Sequence, residues 1–162
     1  MRAKLFGNKK RFAAEVGNFY KGSQQLRRVD LWAAECRLTR QDNTVFIPQF
    51  CADVEITIDQ LQSGHDFSLP FPGLSPEETH RHICNLDDDS RERFESFWFL
   101  RWGPTTDAVS SNVFWTGARL SIAFEFWRET HPIPEELNVI FVADVLETEF
   151  IGVLKQMLAA LA

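Results

Sequence analysis

Cysteine is scarce in this chain and follows no pairing pattern. Cys36, Cys51 and Cys84 make an odd count with no C-x-x-C spacing. Neither a disulfide framework nor a zinc knuckle is indicated, and a reducing cytoplasm is the expected compartment. Long apolar runs are missing as well. The opening MRAKLFGNKKRF lacks the apolar centre of a signal peptide. No stretch approaches the ~18–20 apolar residues that span a bilayer, so no membrane association is expected. The C-terminal VLKQMLAALA is short, and Lys155 and Gln156 interrupt it. With 8 Gly and 7 Pro the chain is neither collagen-like nor low-complexity. Basic residues are outnumbered, 17 against 23 acidic, for a net charge of −6. Direct binding of nucleic acid is disfavoured, because a polyanion needs a concentrated basic surface.

Chemical motifs are also lacking. There is no G-x-x-x-x-G-K-[ST] or G-x-G-x-x-G for a nucleotide, and no G-x-S-x-G nucleophile elbow. His80-x-His82-x-Cys84 is the best metal candidate, yet on a helix only His80 and Cys84 share a face. No third ligand is evident, so no metal site is expected; Cys84 should pack inward with the histidines exposed. His65-Asp66 in a Pro-rich loop carries little information. Asp144, Glu147 and Glu149 read as solvated charges near a helix start. No catalytic, cofactor-binding or metal residues are therefore assigned.

What is present is a large apolar and aromatic inventory: 44% hydrophobic, with 15 Phe and 5 Trp among 162 residues. That length and content suit one globular domain over residues 1–162 with a substantial core. Strands are expected at Phe12–Phe19, Val29–Leu38 and within TVFIPQF, where Pro48 marks an edge or strand end. Residues 52–62 fit strand and helix alike; Asp53 as N-cap and Ser63-Gly64 as terminator favour helix. Ser75-Pro76-Glu77-Glu78 is a capping box with Pro at the first helical position, opening a helix to about Leu86. LSIAFEFW alternates Leu120, Ile122, Phe124 and Phe126 against Ser121, Ala123, Glu125 and Trp127, a half-buried strand. Asn138–Val145 is a further strand, and Glu147–Ala162 an amphipathic helix. The expected fold is α+β: an antiparallel sheet of about five to seven strands against a C-terminal helix and one or two short helices.

Charge is unevenly spread. Residues 1–40 carry a net of +7 and residues 41–162 a net of −13. Either basic and acidic strands pair in space, or an acidic face is left to attract a cationic partner. Asp87, Asp88, Asp89, Glu92 and Glu95 lie near Trp98, Trp102 and Trp115. Exposed aromatics inside an acidic rim would form an interface, and these eight residues are the interface candidates.

The opening Leu5–Glu15, L-F-G-N-K-K-R-F-A-A-E, resembles the F-G-(D/N)-x-x-x-F-A-x-E start of the bacterial immunity protein family 42. Asn8-Lys9 stands where that pattern carries Asp-Pro. The order that follows is similar: an N-terminal hairpin, an apolar segment ending near Leu61, an S-P-E-E helix, late strands and a helix opening E-T-E-F at Glu147–Phe150. The resemblance implies a non-enzymatic antidote to a polymorphic toxin. Such a protein binds the toxin's C-terminal domain, here expected to be basic, in the cytoplasm of the producing cell and blocks its active or substrate site. Phe6, Gly7, Phe12 and Glu15 match the motif; Phe6 and Phe12 are expected to be structural and Gly7 to serve a turn. The free protein would be a monomer or dimer. A secretion-system adaptor or chaperone, or a small ligand-binding domain or hydrolase, are the alternatives.

Overall fold

In the computed structural model, residues 2–162 are described and form an α+β fold. Its first layer is an antiparallel sheet built from β1 (Lys4–Asn8), β2 (Phe12–Phe19), β3 (Leu26–Ala33), β4 (Cys36–Arg37) and β5 (Thr44–Phe46). The order is β1-β2-β3, with β4 and β5 both pairing along β3. Helix α1 (Ile47–Gln62) follows, then α2 (Pro76–Cys84), the short α3 (Asp88–Arg91) and a 3₁₀ segment, Glu92–Phe97. A meander of β6 (Val109–Thr116), β7 (Arg119–Phe126) and β8 (Phe141–Leu146) makes the second sheet, and α4 (Glu147–Leu161) closes the chain.

One continuous apolar cluster joins both sheets. Its aromatic centre is assembled from distant parts of the chain. Phe12 on β2 meets Phe150 on α4 edge-on at 4.7 Å, and Trp102 packs between Phe12, Phe50 and Phe99 at 6.0–6.5 Å. Trp102 is 1% exposed, and its indole N–H donates to Thr57 Oγ1 at 2.8 Å, which satisfies the one polar atom of the ring. Helix α4 lies against β1 and β2 through the stripe Phe150, Leu154, Met157 and Leu161.

Gly7 shows why the opening motif needs a glycine. Its φ is +86°, and a Cβ there would strike the Phe12 carbonyl oxygen and lie 2.8 Å from Val153 on α4. The requirement is a close approach inside β1, not the expected turn, which falls at Asn8–Arg11. Phe6 packs partly buried against the core and Phe12 is fully buried. Glu15 sits half-buried on β2.

Several local expectations change. The run Val29–Leu38 is two strands, because Ala34 and Glu35 turn the chain with φ of 49° and 65°. Two consecutive positive φ values make a tight hairpin turn that normally advertises itself as Asn-Gly. Helix is correct for residues 52–62, but the helix starts earlier, at Ile47, with Pro48 in its first turn instead of ending a strand. Cys51 consequently lies on α1 and not in a strand. Residues 97–102, apolar enough to suggest a strand, form none: Trp98 makes an isolated bridge to Asn112, and Trp102 sits beyond it. Trp127 follows β7, so of Trp98, Trp102, Trp115 and Trp127 only Trp115 lies within a strand. β7 itself is the middle strand of its sheet and is buried on both faces from Leu120 to Phe124, because α2 covers the face read as solvent-exposed.

Candidate functional site

The capping box opens α2 as read. Ser75 Oγ accepts from the Glu78 amide at 3.1 Å, Glu78 reaches back to the Ser75 amide, and Pro76 holds the first turn. Asp87 then caps α3 by accepting from the Ser90 amide at 2.7 Å, a bond that holds its carboxyl below the ordinary carboxylate range. These two caps leave Asp87, Asp88, Asp89, Glu92 and Glu95 exposed on an arm, residues 75–101, that is anchored by the buried Ile83, Phe97 and Phe99.

Two cavities flank that arm, and Trp98 belongs to both. The first, about 190 Å³, is lined by Cys84, Arg91, Trp98, Ser110 and Asn112 among others. A second of about 220 Å³ lies against α1 and is lined by Asp53, Ile56, Gln60, Glu95 and Trp98. Ile56 is 55% exposed, an apolar side chain presented to solvent beside the half-exposed indole of Trp98. Asp53 on α1 and Glu95 on the arm place one carboxylate on each wall of this groove, while Glu55 and Asp59 lie round the helix from it. Arg101 stacks over Trp98 at 4.9 Å and comes within 3.9 Å of Glu95. The groove therefore sets Ile56 and Trp98 between one carboxylate on each wall, with Arg101 beside them.

The expected interface residues are not all brought together. The five carboxylates and Trp98 share the arm. Trp102 is withdrawn into the core and offers no surface. Trp115 is half-buried beneath the 65–71 loop, 5.6 Å from Phe67, with its indole N–H buried and unpaired. Ile56 and Asp53 are not among the expected residues, because no local pattern shows which face of α1 stays outward. Part of the charge asymmetry does cancel in space: Arg11 pairs with Glu149 at 2.9 Å and Arg40 approaches Glu136 at 3.7 Å.

Beneath α2 lies a second polar constellation. His80 is fully buried, contrary to the expectation that the histidines face solvent, while Cys84 is only partly buried. His80 Nε2 is 3.2 Å from Glu125 Oε1 and 3.5 Å from Cys84 Sγ. Its Nδ1 lies 2.9 Å from the Asn112 amide nitrogen, and Asn112 Oδ1 is buried without a partner. Cys84 Sγ also lies 3.8 Å from Ser110 Oγ. Strand geometry explains the gathering: Ser110 and Asn112 share a face of β6, and Glu125 stands directly across from Ser110 on β7. Burial resists protonation of His80, but hydrogen bonds to Cys84 and Glu125 outweigh it and raise its pKa to about 9. The same bond from His80, against partial burial, lowers the Glu125 carboxyl.

This is a poor nucleophile site. Cys84 and Glu125 both compete for the proton on Nε2, and the carboxylate is the better acceptor. His65 instead packs on Phe67, and Asp144 accepts from Ser121 Oγ, so neither joins the cluster. The other thiols are held neutral: burial and then Glu136 push Cys36 up to about 12, and burial and then Glu55 raise Cys51.

No protein-family model matches the sequence, and no curated protein does. The fold does have a counterpart among solved structures. CdiI from Burkholderia dolosa superimposes with a TM-score of 0.61 over 97% of this chain and 99% of that one, at 11% identity. The two chains therefore share an architecture from end to end. Among the described residues, no helix is long and apolar enough to cross a membrane.

Proposed function

We propose that this chain is an immunity protein: it binds a cognate toxin domain and blocks that domain's active or substrate site in the cytoplasm of the producing cell. The observation that carries the reading is the groove between α1 and the 75–101 arm, with Ile56 and Trp98 at its centre and carboxylates on both walls. CdiI is an immunity protein of contact-dependent inhibition, and the end-to-end match in architecture supports the same class here. The N-terminal resemblance to immunity protein family 42 points the same way. In this reading the chain works by occupation of a surface and carries out no chemistry of its own. Its carboxylates steer a basic toxin domain into contact, and burial of Trp98 and Ile56 slows release.

The test is growth rescue. The C-terminal domain of the neighbouring upstream gene product is expressed in a bacterium with and without this chain, and complex formation is followed by pull-down. Rescue together with a one-to-one complex is the expected result. Persistent toxicity despite a complex would favour an adaptor or chaperone, and no complex at all would overturn the reading.

A further inference from the structure

We infer that His80, Cys84 and Glu125 form a binding site for a zinc-class divalent cation that fastens α2 to the second sheet. Their ligand atoms all lie within 4.8 Å of one another. Nε2 to Oε1 is 3.2 Å and Nε2 to Sγ 3.5 Å. Zinc–ligand bonds of about 2.0–2.3 Å in a tetrahedron need donor separations of about 3.3–3.7 Å, so little movement is required. The donor set is imidazole, thiolate and carboxylate, which zinc takes in preference to calcium or magnesium. A divalent ion with one thiolate and one carboxylate has no net charge, so the buried setting imposes no uncompensated ion. Three protein donors leave one tetrahedral position for water, and Cys84 also lines a cavity of about 190 Å³.

A second, independent observation lies behind the ring. A histidine that ligates through Nε2 must donate its Nδ1–H to something. Asn112 touches Nδ1, is 2% exposed, and carries an amide oxygen with no partner. Rotating that carboxamide by half a turn delivers the oxygen to Nδ1–H, the bond that fixes a metal-ligating imidazole. Asn112 is thus a positioning residue. Spacing of i and i+4 on α2 supplies two donors, and the β6–β7 register supplies the third along with its support.

The site stands apart from the immunity reading and is tested without a toxin. Metal-free full-length protein is titrated with zinc alone by calorimetry, and with cobalt while thiolate-to-cobalt charge-transfer absorption is recorded. One equivalent should bind with a Kd below about 1 µM. Cys84→Ser and Glu125→Gln should each weaken binding by at least ~10–100-fold, and Asn112→Ala by about 10-fold, with circular dichroism confirming the fold. The cobalt band should persist in Cys51→Ser and vanish in Cys84→Ser. Alkylating Cys84 in the Cys51→Ser background provides the same loss without a refolded variant. No saturable binding up to about 100 µM zinc, or a cobalt band that survives loss of the Cys84 thiol, would overturn the site. Unchanged affinity in Glu125→Gln would overturn the three-ligand assignment.

Discussion

The sheet of β1–β5 with α1 and α4 differs from the arm at residues 75–101 in what holds it. In the first region, buried aromatics from four separate segments interlock: Phe12, Phe50, Trp102 and Phe150 are all at most 1% exposed. In the arm, helices of 9 and 4 residues are held at their starts by Ser75 and Asp87, and α3 buries none of its residues. Helices that short depend on caps and on contact with the body. The first region is specified by volume and shape, and has little freedom to vary its core side chains. The arm sends Ile83, Phe97 and Phe99 into the core, but its helices start from side-chain hydrogen bonds and it displays charge outward, the character of a surface kept for a partner.

That contrast can be broken by substitution. The largest effect is expected at the aromatic centre: Phe12→Ala or Trp102→Ala should cost about 3–5 kcal/mol of folding free energy in denaturant titration. A loss below about 1 kcal/mol would mean that the centre is not tightly packed. Gly7→Ala should cost about 1–3 kcal/mol, since positive φ and the Phe12 carbonyl both oppose a Cβ. Removing the arm's first cap with Ser75→Ala should cost only about 1 kcal/mol. Replacing Ala34-Glu35 with Asn-Gly, the natural pair for that hairpin turn, should raise stability by about 1 kcal/mol. Smallest in folding, and largest in binding, is the arm's surface. Trp98→Ala should change stability little yet slow no part of toxin association while speeding release at least ~10-fold. Reversing charge at Asp88 and Asp89, with the Asp87 cap left in place, should leave the melting temperature near that of the parent and reduce the association rate at low salt. An association rate unchanged at low salt would remove the segment from the interface.

Legibility in the sequence follows the same division. Elements written locally were readable: the Ser75–Glu78 box, the alternation in Leu120–Phe126 and the stripe of α4 are patterns within about fifteen residues. The turn at Ala34-Glu35 was not readable, because neither residue type signals positive φ. Pro48 is permitted both at a strand end and in a first helical turn, and only packing of Phe50 and Val54 decides between them. The arm's carboxylates were readable as exposed charge. Their neighbour across the groove was not, since nothing local brings Ile56 beside Trp98. Glu125 illustrates the limit most sharply. It lies 45 residues from His80 and reads as the solvent side of a strand, until α2 is known to cover that face.

The most direct test of the central claim is a hydrogen-exchange comparison of the free chain with its complex with the cognate toxin domain. Slowed exchange at residues 53–60 of α1 and 87–101 of the arm, with β1–β3 unchanged, is the predicted result. Protection confined to β1–β3 or α4, with the arm exchanging as in the free protein, would contradict the account.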